Sequence, residues 1–528
     1  MKYKLIILFA VLLSTIADVS AQDASFFRKY ADKGDVEAMY NLANCYLNGT
    51  GGVTQDYGQG TMWLAKAVKK KYAPAMVSMA YCYINGVGVL KDYAKAYELC
   101  NKAVEKENGS AHYLMALMYK DGYYVQQNVY KYWGFLNSAA TLGDGDAQSD
   151  LGYYYLYGLK DVNVEQDYSK AISYLQKAEA QGNAQAKRLL GICYYYGTGL
   201  TIDKNKAVNY YKSAADLGDG VAQCLIGEAY MRGDGVEQNM ASGNAYVDAA
   251  AAQEIPRAYF LLGERYYYGL GVEEDNNQAA QWYQKAVDCN VTSACNKLAY
   301  MYSVGVGVTE NESKAFSLYK QSADAEDAGG FAGLGICYEN GIGVTKNIST
   351  AISYYKKAAE SNNSYSMDRL YHLYREGDGV TKDNDAAITY LRQAADLENL
   401  SSIYSLGYEY YAGEIIHADN QKALEYMTKA ADGGYTFACA ILGVSYYSGQ
   451  DGLVNKDYKK AFEYLSLAIK DTSSLNEDLL SEVYKDLGAC YRFGRGTEKD
   501  QSLASYYTEQ AAKYGDQGSV NAVKMMRK

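Results

Sequence analysis

A chain of 528 residues is long enough for three or four globular domains, yet its usage is lopsided, with 59 Tyr and 50 Gly against 2 Pro. Such a bias points to one unit copied many times rather than to several unrelated cores. The net charge of −11, with no Lys/Arg-rich block anywhere, argues against nucleic acid and anionic membrane as partners.

In chain order, Lys2 and Lys4 precede an apolar run from Leu5 to Leu13, followed by Ser14, Thr15 and a small-residue ending at Val19-Ser20-Ala21. This predicts a secretory signal peptide over residues 1–21, bacterial in style. The run is shorter than the roughly 20 apolar residues a membrane span needs, and no Cys follows it to carry a lipid anchor. The mature chain is expected to begin near Gln22 and to work, soluble and without membrane insertion, in the periplasm or outside the cell. Residues 22–35 read as a partial repeat that caps the array.

From there a Tyr recurs at 46, 83, 119, 155, 194, 230, 266, 302, 338, 374, 410, 446 and 491, and nine of the twelve intervals are 36 residues. A Gly stands three residues after every one of them. The unit is clearest over 184–219. Ala186, Leu190 and Tyr194 share one face of a first helix, helix A. Gly191 lets a partner helix approach, Gly197, Thr198 and Gly199 end the helix, and Asp203 is placed to cap a second one. Helix B then carries Ala207, Tyr210, Ala214 and Ala215 at helical spacing. Such hairpins bury their apolar faces only by stacking. The expected fold is therefore all-α, a right-handed superhelical solenoid of about thirteen helix-turn-helix repeats over 36–516, with a second capping partial repeat at 517–528 that carries Lys524, Arg527 and Lys528. No Pro-rich or low-complexity linker interrupts it, which predicts one continuous array.

Repeat two, with Ala75, Ala80, Tyr83, Gly86-Val87-Gly88-Val89, Lys95-Ala96 and Lys102-Ala103, resembles the Sel-1-like repeat, a relative of the tetratricopeptide repeat. So does repeat nine, with Leu334-Gly335, Tyr338, Gly341-Ile342-Gly343-Val344 and Lys357-Ala358-Ala359. The resemblance covers almost the whole mature chain. It implies adaptor or scaffold duty in protein complexes and no shared chemistry.

Three repeats depart from the period. Repeat four has three extra residues around Lys160 to Val164. Repeat eleven replaces its glycine loop by Glu414-Ile415-Ile416-His417, which is expected to expose apolar side chains. Repeat twelve is nine residues longer, two near Gln450 to Val454 and seven across Asp471 to Leu479. Insertions in solenoids fall in loops, where partners often touch.

Chemistry is scarce. His112, His372 and His417 are the three histidines, and no His-x-x-x-His or Cys-x-x-Cys spacing offers a metal site. Cys45, Cys82, Cys193, Cys337 and Cys490 each precede a recurrent Tyr and read as packing, while a disulfide between Cys289 and Cys295 stays open. Asp368 and His372, at i and i+4, are the one pair in which a carboxylate could orient an imidazole, with no evident nucleophile facing them. No catalysis, cofactor or metal is expected. If helix A lines an inner surface, groove residues lie six and two before the recurrent Tyr and one after it. These positions select Tyr153, Tyr195, Tyr267, Tyr300, Tyr404, Tyr408, Tyr411 and Tyr447, with Asp368, His372 and Arg375 among them, as candidate binding residues. Tyr offers flat apolar area plus a hydroxyl at low entropic cost. The expected function is an exported scaffold that binds a protein or peptide partner on its concave helix-A surface. A carbohydrate or peptidoglycan binder comes second, and a cell-wall amide hydrolase, suggested for some secreted members of the family, third.

Overall fold

The computed structural model describes residues 23–450 and 452–526. The predicted signal peptide, Gln22, Arg527 and Lys528 lie outside the described residues. Among the described residues there are 28 α-helices and no β-strand, and repeats of about 36 residues form a helical solenoid. The helices gather into two compact units, one ending at Glu273 and one beginning at Glu274. The division falls in the glycine loop of repeat seven, between helices Pro256–Tyr267 and Asn276–Asp288.

Repeat five of the first unit shows how the local sequence builds the hairpin. Helix A runs Ala184–Tyr196 and helix B Lys204–Asp216. The Asn183 side chain accepts from the Ala186 amide at 2.8 Å and Asp203 from the Lys206 amide at 2.9 Å, satisfying donors that a helix N-terminus leaves free. Gly197 ends helix A at φ 74°, a left-handed conformation that costs a Cβ-bearing residue more. Ala186, Leu189, Leu190 and Cys193 of helix A cluster with Leu156, Ala171, Leu175 and Ala178 of repeat four, and Ala207, Val208, Tyr211 and Ala214 of helix B with Ala222 and Ile226 of repeat six, all buried. A fully buried leucine such as Leu190 contributes roughly 2 kcal/mol by area removed from water. Gly191 is the close-approach point, since a Cβ there would stand 2.6 Å from the Tyr211 ring.

The structure moves the tyrosines by one place. Tyr211, not Tyr210, is the deep ring of helix B. Tyr194, expected in the core, is half-buried and stacks on Tyr210 at 5.7 Å and 13°. The Lys206 ammonium lies 4.2 Å from its centroid. The same rung recurs at Tyr119–Phe135, Tyr230–Tyr246, Tyr338–Tyr354, Tyr374–Tyr390, Tyr410–Tyr426 and Tyr446–Tyr464. Each ties helix A to helix B; Tyr119, Tyr374 and Tyr446 are buried, while Tyr194, Tyr230, Tyr338 and Tyr410 are half-buried at the edge of the core, where a ring with a polar tip suits one dry and one wet side.

The irregular segments are built rather than loose. Leu159 pairs with Val164 and Gln450 with Val454, so a bridge closes each lengthened loop. In repeat eleven the structure corrects the sequence expectation: Ile415 and Ile416 are half-buried and pack against the core. After Asp471 to Asn476 the extra residues lengthen the next helix A to 17 residues, Glu477–Phe493, capped by Asn476 with Glu477 and Asp478 in its first turn. All ten cysteines are free thiols, Cys289 half-buried and the others buried.

Candidate functional site

The residues singled out in repeats ten to twelve fall on helices A of the second unit: Ser364–Glu376, Leu400–Ala412 and Thr436–Ser448. Side chains of each reach the next. Arg369 donates to Glu339 of repeat nine, whose other oxygen accepts from the Tyr355 hydroxyl at 2.6 Å. Asp368 accepts from Ser402 at 2.6 Å. Arg375 donates to Glu409 at 2.5 Å and to Glu414 at 2.8 Å. Glu409 also accepts from the Tyr371 hydroxyl at 2.6 Å. Gln450 donates to the Tyr411 hydroxyl at 2.8 Å. A polar rail thus runs across repeats nine to twelve, each group held by a partner one repeat away.

Glu409 is the residue that sequence reasoning missed. It is fully buried, and its second carboxylate oxygen, also buried, has no hydrogen-bond partner. The position is the one that Cys45, Cys82, Cys193, Cys337 and Cys490 fill elsewhere. A carboxylate in that row was the available signal, because an ionised group enters a dry seam only when paired. Arg375 and Tyr371 supply that pairing.

Asp368 and His372 do come together, but at 3.8 Å, beyond hydrogen-bond reach. Burial holds the His372 imidazole below its usual value, against the pull of the Asp368 charge, and so favours the neutral ring. A serine does face the pair, contrary to expectation. It donates to the carboxylate and not to the imidazole, and Ser402 is fully buried. An attacking hydroxyl needs a base within reach and a path for substrate; the Asp368 carboxylate is within reach of Ser402, but the fully buried hydroxyl leaves substrate no path. Among the described residues no cluster of three or more His, Cys, Asp or Glu could hold a metal ion.

Of the aromatics, Tyr408 is exposed, at 44 %. Tyr404 is half-buried between Tyr435 at 5.8 Å and Phe437 at 5.3 Å. Tyr411 is half-buried against the core, and the Tyr447 hydroxyl accepts from Arg495 at 2.6 Å. Tyr300 is exposed in the second unit. In the first unit Tyr153 is exposed and packs on Tyr157 at 4.9 Å. Tyr195 is half-buried and donates to Asp234, and Tyr267 is half-buried with its ring edge-on to Tyr268. The structure joins Asp368, Arg375 and Tyr411 to the rail, sets Tyr404 and Tyr408 on the same helix as Tyr411, and gives Tyr447 to Arg495; Tyr153, Tyr195 and Tyr267 belong to the first unit.

Stacked helical hairpins of about 36 residues, their helices A joined by hydrogen bonds from one repeat to the next, define a helical repeat protein. The chain belongs to the Sel1 repeat family. The family matches thirteen times, at residues 36–72, 73–108, 109–144, 145–183, 184–219, 220–254, 256–291, 292–327, 332–363, 367–399, 400–435, 436–472 and 481–516. Members of this family generally serve as non-catalytic scaffolds for protein–protein interaction. Among solved structures, the chain is similar to a protective antigen of uropathogenic Escherichia coli with an SLR fold. Identity is 27%, coverage 88% of this chain and 90% of that one, and the TM-score 0.43. It is also similar to a Sel1 repeat protein from Oxalobacter formigenes, with 25% identity over 59% of this chain and 89% of that one and a TM-score of 0.40. No curated protein matches the chain.

Proposed function

We propose that the protein is an exported, non-catalytic scaffold that captures a protein or peptide partner on the helix-A wall of repeats ten to twelve. The observation that carries this reading is the exposed Tyr408 ring on a helix A whose Ser402 and Glu409 side chains are held by Asp368 and Arg375 of the preceding repeat. An aromatic anchor amid pre-ordered polar groups loses little entropy when a partner covers it, which is the composition of an interface hot spot. Export is supported by the signal-like residues 1–21, and sequencing the N-terminus of the protein recovered outside the cytoplasm tests it. A start at Met1 refutes cleavage.

The wall is tested by Tyr408→Ala in a pull-down from cell-envelope extract. Partner capture is expected to fall while helix content and melting stay at the wild-type level, because the ring is largely outside the core. A variant that melts normally and captures every partner places the interface elsewhere. A second reading, glycan binding, draws on the adjoining exposed rings Tyr153, Tyr157 and Tyr196 of the first unit, which present flat faces suited to sugar stacking. Loss of peptidoglycan co-sedimentation on replacing Tyr157 and Tyr196 by Ala would favour it.

A further inference from the structure

At three junctions of the described residues, the side chain just after a recurrent Tyr touches the loop of the next repeat. Tyr195 donates to Asp234, Arg375 donates to Glu414 at 2.8 Å, and Arg495 donates to the Tyr447 hydroxyl at 2.6 Å. The first two are balanced in charge: the Lys204 ammonium stands 2.9 Å from Asp234, and Glu414 has Arg375 itself. The third is not. The groups that act on the Arg495 charge are Tyr447, Tyr458 and Cys490, and among the described residues no carboxylate forms an ion pair with it. Asp486 feels the guanidinium but is buried, which holds its own carboxyl up at about 7.

What orders Arg495 instead is aromatic. Its guanidinium carbon lies 4.8 Å from the centroid of the Tyr458 ring, 5.0 Å from that of Phe493 and 5.6 Å from that of Tyr447. Ring faces attract a cation, so the side chain is fixed before any ligand arrives and has little rotamer freedom left to lose. One N–H is taken by the Tyr447 hydroxyl. None of the other guanidinium nitrogens is buried without a partner, so the rest of the fork reaches water. We infer that Arg495 receives a carboxylate of the partner, an inference that rests on the reading that the chain captures a protein or peptide. The carboxylate pairs edge-on with the guanidinium fork through two parallel N–H bonds, the geometry that a planar acid and a planar cation share. An apolar group beside it in the same segment lies on the Phe493 ring, which is 55% exposed. A single carboxylate suits the site better than a polyanion, which the chain's net charge of −11 repels.

The test uses the full chain and three fluorescein-labelled peptides. The first repeats glycine, phenylalanine and glutamate and ends in an amide; the second has glutamine for glutamate and the same amide; the third has glutamine and a free terminal carboxylate. In fluorescence anisotropy at physiological ionic strength, the second should bind at least about tenfold more weakly than one or both of the others. Which of those binds names the source of the carboxylate as a side chain or a chain end. Arg495→Gln should weaken that peptide about tenfold, and Arg495→Lys, which keeps the charge but not the fork, at least about threefold. Phe493→Ala should weaken it about threefold. Two controls should leave binding unchanged: Arg232→Gln, which removes an exposed cation from the first unit, and Tyr408→Ala in repeat eleven. Loss of partner capture at Tyr408 and loss of peptide binding at Arg495 are thereby read separately. Circular dichroism checks that each variant keeps the wild-type helix content; if Arg495→Gln does not fold, Arg495→Lys and Phe493→Ala decide. The inference is overturned if the three peptides bind alike, if none binds, if Arg495→Lys binds as the wild type does, or if either control weakens binding as much as the Arg495 variants.

Discussion

Asp486 in the last helix A is 5% exposed, and its burial, chiefly, pushes its carboxyl from 3.8 up to about 7, with Lys485 and Arg495 opposing and Glu482 and Asp516 reinforcing. The folded value lies above the unfolded one. Below about pH 4 both states hold the proton and the full stability of the repeat is present. As pH rises from there to about 7 the unfolded chain releases its proton first, and stability is lost across that window. About three units at 1.36 kcal/mol each give a penalty of about 4 kcal/mol at pH 8. Asp486→Asn removes it. Hydrogen exchange of residues 477–493, compared with wild type at one pH at a time, should show a large gain in protection near pH 8 and almost none near pH 4. Because exchange reads each repeat separately, the comparison does not need the array to unfold in one step. An equal gain at both pH values, or none at pH 8, would refute the assignment of a strained carboxylate to this site.

Three more outcomes are expected. Gly335→Ala should lower stability by about 1–3 kcal/mol in urea unfolding, because its Cβ would stand 2.4 Å from the buried Tyr355 ring; no change would mean the two helices are not so close. Tyr194→Ala should cost about 1–2 kcal/mol, against about 3–5 for the fully buried Tyr355→Ala, and equal melting losses would deny the edge position of the rung. Burial depresses the His372 imidazole relative to 6.5, so its neutral form contributes stability that is complete above that pH and is lost as pH falls below it. His372→Gln should flatten the melting temperature between pH 7 and pH 5, and an unchanged slope would put the acid sensitivity on other groups.

Much of the fold was legible because each repeat reuses the same local chemistry. The Gly three residues after every recurrent Tyr could be read as a helix stop, and Asp203 as a cap, from residue type alone. Rotation of helix B could not. Tyr210 and Tyr211 sit about 100° apart on the helix, and only the space left by Gly191 decides which ring goes inside. The division after Glu273 had no signal, since a glycine loop there looks like every other. At the site, Asp368, His372 and Arg375 were visible as charge in a groove row, but what they bond to lies a repeat away. Glu409 was hidden in a row read as packing, and the loop isoleucines looked exposed because their partners are distant in sequence. The seven residues before Leu480 looked like a loop, yet Asn476, Glu477 and Asp478 are what a helix start favours.

The stacked Tyr rungs also decide how the molecule interacts with light. Rings held parallel at 5.6–6.1 Å in a fixed chiral setting couple their transitions, so the near-ultraviolet dichroism of the folded chain should be dominated by tyrosine pairs and vanish as hairpins open. Tryptophan is present only at 63, 133 and 282, which leaves repeats eight to thirteen, and with them the whole polar rail, optically silent in tryptophan emission. A tryptophan placed at Tyr408 would add the emission of that wall to those of Trp63, Trp133 and Trp282, and the difference from the wild-type spectrum should shift when a partner covers it.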